Sequence, residues 1–254
     1  MIDQETVEML RKMRMTAMAD ELSHQLQDST FNELGFEERL GLMLTAEWNR
    51  RQTNTVQRLI KNANFSAPAA AVEEIEYYED RKLDKAQILR LSSCKFVDEG
   101  HHIILEGASG NGKTYIACAL GNAACRRFKK VRYIRMPELL DELNIARSGG
   151  ELKKCLSNYK KVDLLILDEW LIRPLTPQES YDLLEIVETR CQRSMIFCTQ
   201  YSTDGWYTRI DSNPESASPV SDAIMDRIIH NSYVIMVEGR ISMRERYGLK
   251  ATQS

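Results

Sequence analysis

One stretch of eight residues carries chemistry in its spacing alone: Gly107, Ala108, Ser109, Gly110, Asn111, Gly112, Lys113 and Thr114. It satisfies G-x-x-x-x-G-K-S/T, the P-loop or Walker A pattern. Glycines at 107, 110 and 112 let the backbone take positive φ and bring N–H groups against phosphate oxygens. A helix opening near Gly112 adds unpaired N–H donors and the positive end of its dipole. Lys113 can reach β- and γ-phosphates, and the Thr114 hydroxyl can ligate Mg²⁺. Tyr115 follows directly and belongs to the same nucleotide-binding stretch. The competing reading is a plain glycine-rich turn. Context argues against it, because the apolar run Ile103 to Leu105 precedes the octet and a helical Ala-, Leu- and Cys-rich segment, 115–127, follows.

A second apolar run, Leu164 to Leu167, closes on Asp168 and Glu169 and reads as a Walker B strand. Asp168 would hold Mg²⁺, directly or through water, and Glu169 would polarise the attacking water as a general base. Two acids at a strand end are common in isolation; downstream of a P-loop they read as hydrolytic. Thr199 and Gln200 end a later strand, where a polar side chain could sense the γ-phosphate. A strand giving way to a polar loop explains them too. Arg227 projects from a helix whose apolar face is Ile224, Ile228 and Ile229. It could be an arginine finger acting on a neighbouring subunit, or a surface arginine paired to Asp222 or Asp226. Arg240, Arg244 and Arg246 crowd the C-terminus, and Arg244 is the choice for a second γ-phosphate sensor.

Other chemistries fail on residue identity. Asn111 spoils a G-x-S-x-G elbow, and Tyr115 stands where a dinucleotide fingerprint needs its third glycine. The four histidines, 24, 101, 102 and 230, do not space as metal ligands, and His101-His102 simply begins a strand.

The elements that must position these groups follow from periodicity. From Ile103 onward, strands at 103–105, 131–134, 164–167, 195–199 and 233–237 alternate with helices. The helices include one opened by Pro137, one over 177–191 and one ending at Ile229, the last preceded by a Ser-, Asn- and Pro-rich loop from Asp211 to Pro219. This βαβα order predicts an α/β fold, a parallel sheet with helices on both faces. Asp84 should cap a helix running through Phe96. Residues 1 to about 65 read as all-helical: one short helix with Leu10 and Met13, another with Met18, Leu22 and Leu26, and a longer third with Leu40, Met43, Leu44 and Trp48. The small-residue segment Ser66–Ala71 marks a boundary, giving domains over 1–67 and 68–254.

The third helix continues through Arg50, Arg51, Arg58 and Lys61, with Arg51, Thr55, Arg58 and Asn62 on one face. That face suits a phosphate backbone, although the charge run by itself fits a solvated helix face better. The cluster from Arg126 to Arg135 is explained as well by a helix C-terminus as by nucleic acid.

A length of 254 residues and 43% hydrophobic content allow one large domain or two modest ones. A net charge of −3 does not mark a nucleic-acid binder, so any such role rests on local patches. No apolar run approaches the roughly 18 residues of a membrane span. Six cysteines without a C-x-x-C pair predict reduced thiols in a cytoplasmic protein and no zinc site.

Taken together, these motifs resemble the IstB-like ATP-binding proteins, the transposition helper ATPases of insertion sequences within the AAA+ superfamily, related to DnaC-type helicase loaders. The resemblance covers nearly the whole chain. It implies an AAA+ P-loop fold plus a small helical N-terminal domain for assembly and for DNA or partner contact. It also implies an ATP-dependent oligomer on duplex DNA, with ATP at subunit interfaces, that deforms DNA and recruits a transposase for target selection. By that likeness Arg227 is a finger in trans. The insert from Arg147 to Lys161 matches the initiator-type insertion, making Lys153 and Lys154 candidate DNA contacts. Too few residues follow Val237 for a standard helical lid, so a reduced or absent lid is expected. No cysteine precedes Cys94, which favours the transposition helper over the alternative, a DnaC-like loader of a replicative helicase. A small-molecule P-loop kinase is a third, weaker reading.

Overall fold

The computed structural model describes residues 2–211 and 219–247. Residues 212–218 of the expected Ser-, Asn- and Pro-rich loop lie outside the described residues. The chain forms two compact units, Met1–Arg58 and Leu59–Ser254.

The first unit holds α1 (Ile2–Lys12), α2 (Thr16–Gln27) and most of α3 (Phe36–Ala63). Its buried positions include Leu10, Ala19, Met43 and the carboxylate of Glu47. Residue Met15 gives α2 no side-chain cap. Glu47 serves instead: its Oε2 accepts from Ala17 N at 3.0 Å and Met18 N at 3.4 Å, while Oε1 accepts from Arg51 Nε at 2.8 Å. A buried carboxylate is thereby matched to orphan amides and a positive helix end. Of the periodic residues on α3, Met43 is buried, whereas Leu44 and Trp48 are 50% and 64% exposed. The period located the helix and not its buried face.

The boundary between units falls inside α3, ahead of Ser66–Ala71. That segment is tied to the second unit, since Asn122 Nδ2 donates to the carbonyls of Pro68 at 3.1 Å and Ala70 at 2.7 Å.

In the second unit, Asp84 accepts from Ala86 N at 2.8 Å and caps α4 (Lys85–Ser92). The expected continuous helix to Phe96 breaks at Cys94, which takes φ 59°, and α5 (Lys95–Glu99) restarts beyond it. There follow β1 (His102–Glu106), α6 (Lys113–Arg126), β2 (Val131–Arg135), α7 (Met136–Ser148), α8 (Leu152–Lys160) and β3 (Leu164–Trp170). Then come α9 (Pro177–Thr189), β4 (Ser194–Thr199), α10 (Tyr207–Ile210), α11 (Pro219–Ile229), β5 (Ser232–Met236) and α12 (Met243–Arg246). The five strands form one parallel sheet in the order β2-β3-β4-β1-β5. Leu164 to Leu167 are fully buried, as a strand covered on both faces requires. One face is packed by α4, α5 and α6, the other by α7, α8, α9 and α11. With the helix that follows β1 on one face and those that follow β2, β3 and β4 on the other, a crevice opens at the carboxyl ends of β1, β4 and β3, where open α/β sheets bind ligands.

Two buried basic groups hold the far end of the sheet. Arg190 donates to the carbonyls of Tyr159, Val162, Asp163 and Ser194, and burial pushes its pKa down to about 9. His102 Nδ1 accepts from Met195 N at 3.1 Å. Burial, and then the Arg190 charge, push His102 from an ordinary 6.5 down to about 4. The folded chain thus holds His102 neutral where the unfolded chain takes up a proton. Its contribution to stability is complete above pH 6.5, falls between pH 6.5 and 4, and is gone below that, about 3 kcal/mol in all. Urea midpoints taken between pH 7 and 4.5 should therefore fall less steeply for His102→Gln than for the unaltered chain. Equal pH slopes in the two proteins would contradict this account.

Candidate nucleotide site

The octet lies where its motif requires, between the end of β1 and the start of α6. Gly110 and Gly112 take φ of 85° and 87°, the left-handed region open to glycine. Gly107 is fixed by space: a Cβ there would stand 2.2 Å from the Val237 carbonyl oxygen. Lys113 is buried, and its Nζ donates to the carbonyls of Gly107 at 2.7 Å and Ala108 at 2.8 Å. Burial lowers its pKa, with the Asp168 charge opposing.

The Walker B residues meet the loop directly. Asp168 Oδ2 accepts from Thr114 Oγ1 and from Tyr133 OH, both at 2.7 Å, and Oδ1 accepts from Glu169 N at 2.9 Å. The register between β3 and β4 shifts between Leu167 and Trp170, and Glu169 takes φ 55°. The bulge breaks the strand's alternation, so both acids line one cleft, with Asp168 buried and Glu169 nearer solvent. Burial raises the Tyr133 pKa, so its hydroxyl stays a donor. Glu169 is held by Arg135 at the end of β2, whose Nη2 donates to both carboxylate oxygens at 2.9 and 2.7 Å.

A cleft of about 600 Å³ gathers Ser109, Gly110, Gly112, Lys113, Thr114, Tyr115, Asp168, Glu169, Gln200 and Arg244. Beside it, sharing Gly112, Tyr115, Met243 and Arg244, lies a pocket of about 650 Å³ with Ile75, Ile116 and Tyr247 in its wall. Ala108 and Asn111 face a third cavity, behind the loop. Thr199 does not line the cleft. Its hydroxyl accepts from Tyr201 N at 3.1 Å and it is buried, so it shapes the turn after β4 and leaves Gln200 as the polar group exposed to the cleft.

Arg227 also departs from its expected partners. It pairs with Glu188 of α9 at 3.1 Å rather than with Asp222 or Asp226, and it lines neither cavity of its own chain. Lys153 is exposed on α8, beside Lys154, which pairs with Glu151 at 3.2 Å. Arg50, Arg58 and Lys61 are exposed on α3, whereas Arg51 is committed to Glu47. No group of three or more His, Cys, Asp or Glu gathers for a metal among the described residues. None of their helices is long and apolar enough to cross a membrane.

Three contributors to the site had no signal in the motif. Tyr133 and Arg135, two residues apart and so on one face of β2, reach Asp168 and Glu169 through the parallel register Arg135↔Asp168. Arg81, far upstream, is buried and donates from Nη2 to the Asn111 carbonyl at 2.8 Å.

Comparison with known proteins places this geometry. A family model described as IstB-like ATP binding protein matches residues 8–251. The chain is 34% identical over 247 residues to y4pL of Sinorhizobium fredii, named for ATP binding and an insertion sequence, covering 97% of this chain and 98% of that one. It is 37% identical over 201 residues to the IS1162 ATP-binding protein of Pseudomonas fluorescens, covering 79% and 87%. Among solved structures it is similar to DnaI, with TM-score 0.56 and 22% identity over 69% of this chain and 91% of that one. AMPPCP-bound DnaA from Aquifex aeolicus gives TM-score 0.55 and 19% identity, over 70% of this chain and 53% of that one. These two share the fold, a parallel sheet of AAA+ P-loop type. The chain belongs to the IstB-like ATP-binding protein family and carries an AAA+ ATPase domain.

Proposed function

We propose that this ATPase is the transposition helper of an insertion sequence: it assembles on duplex DNA with ATP at its subunit interfaces, deforms the duplex, and recruits and stimulates the transposase of the same element. The observation that carries the hydrolytic part is the 2.7 Å bond from Thr114 to Asp168 beside Lys113. The transposition part is supported by the family and by relatives named for insertion sequences.

In this reading the triphosphate lies on the loop and Lys113 exchanges its two carbonyl acceptors for phosphate oxygens. The adenine takes the neighbouring pocket with Ile75 and Ile116 in its wall, since that pocket joins the phosphate cleft at Gly112 and Tyr115. Thr114 and Asp168 would hold Mg²⁺, and hard oxygen donors are the set that ion takes. Mg²⁺ supplies charge neutralisation on the phosphates. Glu169, once it releases Arg135, takes the proton of the attacking water. Gln200 and Arg244, which line the cleft, would contact the γ-phosphate. Arg227 is turned away from its own cleft, so any phosphate it meets belongs to a neighbouring subunit. The two units divide the labour, the helical first one contributing assembly and contact with DNA or partner.

Three tests follow from these assignments. Arg227→Ala and Glu169→Gln should each abolish ATP turnover, and mixing the two proteins should restore part of it, because some interfaces then join an intact Glu169 to an intact finger. A mixture as inactive as its components would rule out the finger in trans. Tyr133→Phe removes one donor from Asp168 and should raise the Mg²⁺ concentration for half-maximal turnover about tenfold, as loss of outer-shell partners does; an unchanged Mg²⁺ titration would argue that Tyr133 only fills space. For DNA, Arg50→Gln, Arg58→Gln and Lys153→Gln should each lower the slope of log affinity against log salt by about one if the side chain meets a phosphate. Arg51→Gln is the wrong probe, since it also disturbs buried Glu47.

A further inference from the structure

The P-loop is gripped from behind by two segments outside its motif. From the upstream side, Arg81 is 3% exposed, with Nη2 donating to the Asn111 carbonyl at 2.8 Å and Nη1 to the Glu76 carbonyl at 2.5 Å. From the C-terminal side, Met243 N donates to the Gly110 carbonyl at 2.9 Å, and a Cβ on Gly110 would stand 2.8 Å from Ser242 Cβ. The two segments are joined to each other. Asp80 accepts from Arg246 Nη2 at 2.7 and 2.6 Å and from Arg240 N at 3.0 Å, and Arg246 stacks on the Tyr78 ring at 4.2 Å. Two adjacent residues therefore grip different partners, with Asp80 holding the C-terminal segment and Arg81 holding the loop.

A trans peptide is planar, with its C=O and N–H pointing in opposite directions. A donor that fixes the carbonyl of residue 110 therefore fixes the N–H of residue 111 on the opposite side, and the same holds for 111 and 112. Asn111 N donates a long bond to Ala108 O at 3.4 Å, which a phosphate oxygen would replace. Glycines on either side make these peptides free to flip in the absence of such holds, because both signs of φ are open to them.

We propose that Arg81 and the Ser242–Met243 backbone form an outer clamp that holds the Asn111 and Gly110 carbonyls and so aims the Gly112 and Asn111 N–H groups at the phosphates of the nucleotide. This rests on ATP binding at the P-loop. Arg81 and the Met243 N–H act here as positioning groups, through the loop, while both side chains also line the neighbouring pocket. The clamp makes phosphate affinity depend on the segment after β5, which contributes no residue to the P-loop or Walker B motifs.

The decisive comparison is Met243→Pro against Met243→Ala. Position 243 opens α12 behind Ser242 at ψ 149°, so proline fits there and removes the N–H along with the side chain. Alanine removes the side chain and keeps the N–H. Relative to Met243→Ala, Met243→Pro should bind ATP about tenfold more weakly, the scale of one hydrogen bond to a charged group. Binding of AMP, which uses the base pocket without the inner phosphate cradle, should change less than twofold. Arg81→Met, neutral and of similar length, should lose more, and if it fails to fold the proline variant still decides. Equal ATP affinities in the proline and alanine variants overturn the clamp, as do equal losses for ATP and AMP. An unaltered chain that does not bind ATP would bring down the nucleotide reading as well, which the same titration reveals first.

Discussion

The close approach of Gly107 to the Val237 carbonyl constrains much of this molecule. Where a Cβ would stand 2.2 Å from that oxygen, no side chain fits, and the P-loop is pressed against the exit of β5. The contact continues on both sides, since Val237 N donates to Glu106 O at 2.7 Å and Asn111 Nδ2 donates to Val237 O at 2.9 Å. β5 pairs with β1 in register along its whole length, from His102↔Ser232 to Glu106↔Met236. The last strand of the sheet is thus part of the nucleotide site, although it contributes none of the motif residues. The segment that follows it is delivered to the back of the loop.

A second constraint is the small number of places where a carboxylate can be buried at low cost. Asp168 is 7% exposed and receives three hydrogen bonds, from Thr114, Tyr133 and Glu169 N. Fully satisfied acceptors are what make such burial tolerable. Glu47 in the first unit follows the same rule with two helix amides and Arg51. The aromatic cluster of Trp170, Phe197 and Trp206, with centroids 4.6 to 6.1 Å apart, packs behind the bulge after Asp168 and fixes the strand where its direction changes. Loss of packing there would move the acid without touching it.

What could be read from the sequence was whatever is encoded locally. The octet, the four leucine and isoleucine residues before Asp168, and the strand–helix alternation depend on spacing within a few residues, and the parallel five-stranded sheet follows from them. Where strand ends differ, they do so by one to three residues because pairing, not propensity, sets them; β3 runs on to Trp170 since β4 continues to accept it. Thr199 illustrates what spacing cannot give: its hydroxyl is taken by Tyr201, two residues on, in a turn no periodicity encodes. Arg81 and Tyr133 reach the site across 30 and 35 residues, and an arginine in an acidic stretch carries no mark of burial. On α3, the helical period was plain, but a buried glutamate and an exposed tryptophan reverse the usual reading of which face is inside.

The placement of charges separates fixed groups from movable ones. Lys113 and Asp168 are buried and bonded within the second unit, so their positions are set when the domain folds. Glu169 and Arg227 are held by single ion pairs at the surface, to Arg135 and Glu188, with the four side chains between 31% and 47% exposed. Such pairs contribute about 0–1 kcal/mol each, little against the total stability of a folded domain. Both groups can therefore change partners without disturbing the fold. The second unit thus combines a phosphate loop and an acid fixed by burial, Lys113 and Asp168, with two charged groups, Glu169 and Arg227, left on exchangeable surface partners.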